Sequence, residues 1–365
     1  MTVGSTKWLR ALFLIVLLGS MPRTWAALSS ADEAAIDKLA KQAIIQGQTA
    51  GLVVAVGEPG EEALVRGYGY ANKEWEALAS PDSVFRVGSI TKQFASACVL
   101  LLAEQKKLSL DDKFSKYFPE FPRGGEVTLR QLMNHTSGVH SYPGRTEETI
   151  ARVGISVPDM VKHIGGLGYD FEPGTDWAYS NSGYFLLGAI IEKVSGQSFR
   201  DFARERLFEP QGLTHTAIDL NEEIVPQRAS GYQRDRAKQG QFVNAPYTHM
   251  SVPHAAGSLR STAPDLIKWT EALHGGRVLS AASYKEMTTA PRIAGKGPVN
   301  YGLGLWLAPE QGHALISHGG GIDGFEASVN YLVERKMTLV ILTNTQGGLG
   351  ELRAKMLDVL LTEPQ

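Results

Sequence analysis

Gly88-Ser89-Ile90-Thr91-Lys92 leads into an apolar segment that runs from Phe94 to Leu102. At this point of the chain, strand patterns give way to helical patterns. Because Ser89 follows a glycine and precedes an apolar run, we expect it at a helix N-terminus, where backbone N–H groups are free and the helix dipole is positive. Residues three apart share a helix face, so Lys92 can reach the Ser89 hydroxyl. The alternative is a helix-capping serine beside a solvated lysine.

Strand patterns cluster at the two ends of the chain, with helical patterns between them. A helix is expected from Ser29 to about Gln46, followed by strands at 51–56 and 63–70. Further strands are expected at 302–307, 314–317, 325–332 and 337–344, and a last helix at about 350–361. Helical patterns dominate residues 89–273.

This order predicts an α/β (α+β) fold in which strands from both chain ends pair in one antiparallel sheet covered by the terminal helices. A mostly helical region is inserted into the sheet. The expected boundaries are 27–88 and 296–365 for the sheet domain and 89–295 for the insertion. Ligands prefer the crevice between two such parts.

The N-terminus has the features of a signal peptide. Lys7 and Arg10 precede the apolar run 11–18, and the segment Thr24-Trp25-Ala26-Ala27 follows with small residues at 24, 26 and 27. We expect residues 1–26 to be removed after Ala26 and the protein to be exported to the periplasm or secreted. The apolar run is shorter than the roughly 20 residues that a membrane span requires. We therefore expect no stable membrane span after cleavage.

Composition excludes several classes of function. The 365 residues include 36 Lys and Arg and 38 Asp and Glu, a formal net charge of -2, which gives no basic surface for nucleic acid. The single cysteine, Cys98, excludes an intrachain disulfide and any CxxC motif. The chain has no HExxH, P-loop or GxSxG motif, and we expect no metal and no cofactor. The sequence makes no prediction about oligomeric state.

Two further motifs follow Ser89 and Lys92. Tyr179-Ser180-Asn181 lies between a Pro-Gly turn and the amphipathic segment 183–194, a place where a loop can direct a phenol and an amide at one point. Tyr70-Ala71-Asn72 has the same spacing, but it continues a strand upstream of Ser89. A tyrosine of the core with a satisfied hydroxyl is the alternative for either position.

His318-Gly319-Gly320-Gly321 closes a predicted strand. Its glycines let a substrate approach the backbone, and an edge strand offers N–H groups to a peptide-like ligand. His163 and His274 also precede an x-Gly pair, but both lie in helical segments. Gly319, Gly321 and Gly324 fit GxGxxG, although no helix follows, so a dinucleotide site is not expected. Asp323 lies close to the motif, where it can contact a substrate, and a turn aspartate is its simpler interpretation.

Together these motifs supply a hydroxyl nucleophile, an amine, a phenol, a side-chain amide and a glycine-rich backbone. Acyl transfer through a covalent serine intermediate requires such groups. The loop His135-Thr136-Ser137-Gly138 either lines the same cleft or forms a hydrogen-bonded turn.

At this level the chain resembles the serine β-lactamase and penicillin-binding protein superfamily. It is most similar to the class C β-lactamase-like branch, which includes D-alanyl-D-alanine carboxypeptidases, D-aminopeptidases and esterases. The likeness covers about residues 32–361. It rests on the segments Phe85-Arg86-Val87-Gly88-Ser89-Ile90-Thr91-Lys92-Gln93, Leu132-Met133-Asn134-His135-Thr136-Ser137-Gly138, Phe171-Glu172-Pro173-Gly174, Tyr179-Ser180-Asn181-Ser182-Gly183-Tyr184 and Gly319-Gly320-Gly321-Ile322-Asp323-Gly324-Phe325.

The resemblance implies roles for individual residues. Ser89 corresponds to the acylated nucleophile, Lys92 to its proton partner and Tyr179 to the group that passes a proton to the leaving group. Asn181, His318, Gly319 and Gly320 correspond to substrate-binding positions. The backbone N–H groups of Ser89 and Gly321 correspond to the oxyanion hole. Either Lys92 or Tyr179 can serve as the base.

One departure affects the expected substrate. Class C β-lactamases have Lys-Thr-Gly where this chain has His318-Gly319-Gly320. The His-x-Gly pattern of this chain resembles the peptidase and esterase members instead. The leading hypothesis is therefore an exported serine hydrolase that acts on a small-molecule or peptide substrate derived from D-amino acids, including cell-wall peptides. A class C-type β-lactamase is one alternative. A non-catalytic module that binds penicillin or cell-wall peptide is the other.

Overall fold

The computed structural model describes residues 28–142, 148–235, 237–238, 240–297 and 299–362. The predicted signal segment lies outside these residues. The helices of the described part are α1 (Ser30–Ile45), α2 (Thr91–Glu104), α3 (Leu129–Met133), α4 (Glu148–Val153), α5 (Val157–Leu167), α6 (Asn181–Ser195), α7 (Phe199–Ala203), α8 (His254–Gly257), α9 (Ala263–His274), α10 (Ala281–Met287) and α11 (Leu349–Leu361).

The strands of the same residues are β1 (Gly51–Gly57), β2 (Leu64–Asn72), β3 (Ala77–Leu78), β4 (Phe85–Gly88), β5 (Ala217–Ile218), β6 (Tyr232–Arg234), β7 (Phe242–Asn244), β8 (Leu259–Ser261), β9 (Leu315–Ile322), β10 (Phe325–Leu332) and β11 (Met337–Thr343). A short 3₁₀ turn at Phe114–Lys116 and a π-helical turn at Arg204–Phe208 complete the regular structure.

The main sheet has six antiparallel strands in the order β3-β2-β1-β11-β10-β9. β1 pairs with β11, and Val54 lies opposite Ile341, so the two ends of the chain meet in the middle of the sheet. The predicted antiparallel sheet with terminal helices and a mostly helical insertion is confirmed. The exact boundaries at residues 88 and 295 stay predictions.

Alternating side chains of β1 divide the core between the two faces of the sheet. Leu52, Val54 and Val56 pack with α1 and α11 on one face, whereas Val53 and Ala55 belong to the larger cluster on the other face. A period of two residues places successive side chains on opposite faces of a strand. Because both faces of the sheet are covered, β1 is buried throughout, and its sequence is a continuous apolar run.

The structure differs from the sequence prediction at residues 302–307, where no strand forms. Tyr301 and Trp306 instead close a tight turn, in which Gly302 N donates to Leu305 O at 2.8 Å. Gly304 lies in the turn with a φ of 81°, a conformation that glycine adopts without strain. Trp306 then pairs with Ser317 of β9.

A second sheet, with the order β4-β8-β5, was not predicted from the sequence because its strands are only two to four residues long. Its β4 leads directly into the turn that carries Ser89. The buried Asp219 carboxylate accepts hydrogen bonds from Arg86 of β4, Arg260 of β8 and Arg228. This network fixes the strand that precedes the predicted nucleophile.

No helix among the described residues has the length and apolar character needed to cross a membrane.

Candidate active site

Ser89 lies in the turn between β4 and α2. No side chain caps the N-terminus of α2, and the Thr91 hydroxyl donates to Gly88 O at 2.6 Å. The positive end of the helix dipole therefore lies at Ser89, although the N–H groups of Ile90, Lys92 and Gln93 already donate to backbone oxygens. Ser89 does not act as a capping residue, so the alternative interpretation of the Ser-x-x-Lys motif is wrong.

Lys92 is completely buried, and its side-chain nitrogen contacts three oxygen atoms. Nζ lies 3.0 Å from Ser89 Oγ, 2.9 Å from Asn181 Oδ1 and 2.7 Å from the carbonyl oxygen of Ala256. The amide and carbonyl oxygens can only accept hydrogen bonds. If the Lys92 amine is neutral, it donates its two hydrogens to these two oxygens, and its lone pair then points at Ser89 Oγ.

Burial lowers the pKa of Lys92 well below its usual value. Within the described residues no carboxylate forms an ion pair with it. Desolvation without a compensating charge favours the uncharged amine. A neutral lysine within hydrogen-bond distance of a serine hydroxyl can accept the proton of that hydroxyl.

Tyr179 and Asn181 approach the same point from the start of α6. Ser180 caps this helix by accepting from Gly183 N at 3.2 Å, which turns the chain so that residues 179 and 181 face Lys92. Lys92 Nζ lies 4.8 Å from the centroid of the Tyr179 ring. The Asn181 amide is oriented by a hydrogen bond from Nδ2 to Tyr142 O at 3.2 Å.

Burial raises the pKa of the Tyr179 phenol, and the nearby Ser89 side chain offsets only part of this rise. The phenol is therefore protonated at neutral pH. In this state it can donate a proton but is a poor base.

The glycines of β9 bring this strand against β4 near Ser89. A Cβ on Gly320 would lie 1.9 Å from Val87 O and 3.0 Å from Ser89 N, and a Cβ on Gly88 would lie 2.8 Å from Gly321 N. Gly88 also has a φ of 50°. Only glycine permits this approach, which brings the backbones at Ser89 and Gly321 to opposite sides of one gap.

His318 is buried and neutral. Its Nδ1 donates to Gly319 O at 2.5 Å, and its Nε2 accepts from the Tyr301 hydroxyl at 2.9 Å. Burial is the main cause that lowers the pKa of His318 to about 3. The imidazole therefore adds no positive charge for a substrate carboxylate.

A cavity of about 220 Å³ opens above Ser89. Its wall includes Ser89, Asn181 and Gly321. The predicted substrate-binding residues His318, Gly319 and Gly320 are not part of this wall. The close contact of Gly320 with β4 explains why this position is a glycine. The remaining lining residues are Tyr142, Ala151, Thr248, Val252, Pro253, Ala256, Gly257, Ile322, Asp323 and Gln346. The part of the chain that the structure describes contains no His, Cys, Asp and Glu cluster that could hold a metal ion.

His135 holds the Tyr179 loop in place, a role that the sequence did not predict. Its carbonyl accepts from Ala178 N and its Nδ1 accepts from Ser180 N, both at 3.1 Å. Its ring lies 4.4 Å from that of Tyr179, between centroids. The sequence identified His135 only as part of a polar loop, since its φ of 65° leaves no mark in the pattern.

The fold and this arrangement of serine, lysine and tyrosine define the Beta-lactamase family. The family profile matches residues 36–362, and the chain belongs to this family. Penicillin-binding protein 4* of Bacillus subtilis is 31% identical over 309 residues, which cover 80% of this chain and 68% of that protein. The putative penicillin-binding protein PbpX of the same organism is 31% identical over 83% of this chain and 73% of its own length.

Solved structures of amide-cleaving enzymes have the same fold. D-amino acid amidase from Ochrobactrum anthropi, in complex with D-phenylalanine, matches with a TM-score of 0.81 and 27% identity over 91% of this chain and 99% of that chain. A D-stereospecific amidohydrolase from Streptomyces matches with a TM-score of 0.78 and 28% identity, over 90% and 98% of the two chains. The family and these neighbours include hydrolases.

Proposed function

We propose that the protein is a serine hydrolase that forms an acyl-enzyme at Ser89 and cleaves amide or ester bonds of D-amino-acid derivatives. The contact that carries this proposal is the 3.0 Å approach of a buried, ion-pair-free Lys92 Nζ to Ser89 Oγ. A serine hydroxyl is a weak nucleophile unless a neighbouring base takes its proton. The D-amino-acid class is supported by the amidase and amidohydrolase among the structural neighbours.

In the proposed first step, Ser89 Oγ attacks the substrate carbonyl carbon while its proton passes to Lys92 Nζ. The carbonyl oxygen becomes an oxyanion held by the N–H groups of Ser89 and Gly321. When the carbon–nitrogen or carbon–oxygen bond breaks, the leaving group takes a proton from Tyr179, which recovers one from Lys92. Water then cleaves the acyl-enzyme by the reverse sequence. The pKa directions support Lys92 as the base and Tyr179 as the acid in this proposal.

Loss of the Ser89 hydroxyl tests the proposed function. The Ser89→Ala variant is expected to lose covalent labelling by a fluorescent fluorophosphonate and hydrolysis of p-nitrophenyl esters and D-alanyl amides. Ser96→Ala is the matched control, because Ser96 lies further along α2 with its hydroxyl 3.0 Å from that of Tyr184. A labelled Ser89→Ala variant, or a wild-type protein without label or turnover, would contradict the proposal.

Nitrocefin separates the proposed hydrolase from the two alternatives. Because His318 is neutral where class C β-lactamases have lysine, we expect turnover of nitrocefin to be slow relative to D-alanyl amides or esters. Fast nitrocefin turnover would favour a β-lactamase. Stable penicillin labelling without turnover of any of these substrates would favour a binding module.

We further propose that the protein is exported, with residues 1–26 as a cleaved signal peptide. The support is the order of two basic residues, a short apolar run and small residues before Ala27. Cell-wall peptides would be accessible to the enzyme in that compartment.

A further inference from the structure

The charge of the cavity wall points to the kind of substrate that the proposed hydrolase accepts. Among the described residues that line the cavity, Asp323 alone has a formal charge at neutral pH. Neither Lys92 nor His318 lines the cavity, and burial lowers the pKa of both, which favours their uncharged forms. The wall therefore offers a negative group and no described positive group.

Asp323 is placed by the turn between β9 and β10. Ile322 pairs with Phe325, so Asp323 and Gly324 form a two-residue connection, and Gly324 has a φ of 81°. The connection begins two residues after Gly321, which lies beside Ser89. Asp323 thus lies at the end of the strand that the proposed substrate would follow.

One oxygen of the carboxylate is held and the other is free for a ligand. Thr248 Oγ1 donates to Asp323 Oδ2 at 2.5 Å. No described residue donates to Oδ1. The Thr248 hydroxyl fixes the orientation of the carboxylate, and both side chains line the cavity. A fixed carboxylate with a free oxygen is a hydrogen-bond acceptor suited to an ammonium group.

The cavity of about 220 Å³ is small compared with typical ligand pockets of roughly 300–1,000 Å³. A group bound in it lies close to all of its walls. An acyl group of amino-acid size attached to Ser89 would therefore present its own amine to the wall that holds Asp323.

We propose that Asp323 selects substrates whose acyl part carries a free ammonium group, so that the protein acts on D-amino-acid amides, esters or peptides with an unblocked amine. This inference rests on the proposed function. It also excludes recognition of a carboxylate in the same part of the cavity, because two negative charges in a partly desolvated site repel each other.

Three substrates whose acyl part is positively charged, neutral or negatively charged test the inference: D-alanine p-nitroanilide, its N-acetyl derivative and its N-succinyl derivative. For the wild type we expect kcat/KM to fall in this order. In Asp323→Asn, the ratio of kcat/KM for the free amine to that for the N-acetyl compound should fall about 10- to 100-fold, the range typical for loss of a close charge pair. The wild-type ratio should also fall as the pH rises above about 8, where the substrate amine loses its proton.

The control is Asp82→Asn, which removes an exposed carboxylate outside the cavity. Its substrate ratio should equal that of the wild type. A wild type that prefers the N-acetyl or N-succinyl compound, or an unchanged ratio in Asp323→Asn, would overturn the inference and leave the proposed hydrolase intact. Absence of fluorophosphonate labelling together with no turnover of any of the three compounds would reject the proposed function and the inference with it.

Discussion

Lys92 shows how a single residue couples stability to catalysis. Its side chain is removed from water without a carboxylate partner, so the folded protein favours the neutral amine. The unfolded chain exposes the same lysine, which then binds a proton at every pH below about 10.4. Folding therefore releases a proton in the range between the lowered pKa and the unfolded value.

This difference predicts the pH dependence of stability. The unfolding free energy of the wild type, minus that of Lys92→Met, should rise by about 1.4 kcal/mol per pH unit between pH 8 and 10, because the unfolded state binds more protons. Denaturant titrations at several pH values measure it. Lys38→Met, which removes an exposed lysine of α1, is the control. The unfolding free energy of the wild type minus that of Lys38→Met should stay constant over the same pH range. A flat difference for Lys92→Met would mean that Lys92 is charged in the folded protein.

Activity should respond to the same substitution. Loss of the base in Lys92→Met is expected to slow acylation of Ser89 by about 10²–10⁴-fold, the usual contribution of a general base. Stopped-flow labelling with a fluorescent fluorophosphonate measures the rate, and circular dichroism checks the fold. Near-normal acylation in this variant would remove Lys92 from the mechanism.

At the residue scale, the sequence predicted those site residues that lie close together in the chain at a characteristic spacing. Ser89 and Lys92 share one helix turn, and Tyr179 and Asn181 flank a helix cap, so local geometry was enough to place each pair. The positions of His135 and Asp323 depend on a backbone at positive φ and on a cavity wall made from distant segments. Neither leaves a periodic signal in the chain.

Among the elements, β9 combines strand pairing with close packing. The sequence predicted that this strand ends near His318, because glycine has a low strand propensity. The strand continues to Ile322, because β10 supplies a partner for each glycine. The strand predicted at 302–307 does not form. These residues have an apolar pattern, but the backbone bends in a tight turn there.

Gly320→Ala tests the packing of β9 on β4. Its methyl group would lie 1.9 Å from Val87 O, and we expect the unfolding free energy to fall by about 2–4 kcal/mol. Gly319→Ala is the control on the same strand, because its nearest non-adjacent atom would be Ala327 O at 3.7 Å. The control should change the unfolding free energy by less than about 1 kcal/mol. Equal losses in the two variants, measured by denaturant titration, would contradict this account of Gly320.

In the whole molecule, the pattern of strands at both chain ends was sufficient to predict the sheet, because β1 and β11 are predominantly apolar and are buried where they pair. The second sheet was missed since its strands are shorter than any pattern can detect. The first helix of the described residues, α1, is capped by Ser29 and lies directly after the predicted cleavage site.

Export is tested on the whole chain. In a host with a secretory pathway, the recovered protein should begin at Ala27, because the order of basic, apolar and small residues predicts cleavage after Ala26. Mass spectrometry of the N-terminal peptide gives the result. Ala26→Tyr places a large residue at the cleavage site and should leave the longer chain uncut. Recovery of wild-type protein that starts at Met1 would rule out the signal peptide.

The position of β9 at the rim of the main sheet has a consequence for solubility and handling. Trp306 pairs with the rim at Ser317, and no described strand pairs with the outer side of Gly319–Ile322. Unpaired backbone groups of this kind can join a strand from another molecule and start aggregation. Glycine disfavours such pairing because it adds no side-chain contacts. The run of glycines thus keeps the rim accessible to a short ligand and makes it a poor template for intermolecular assembly.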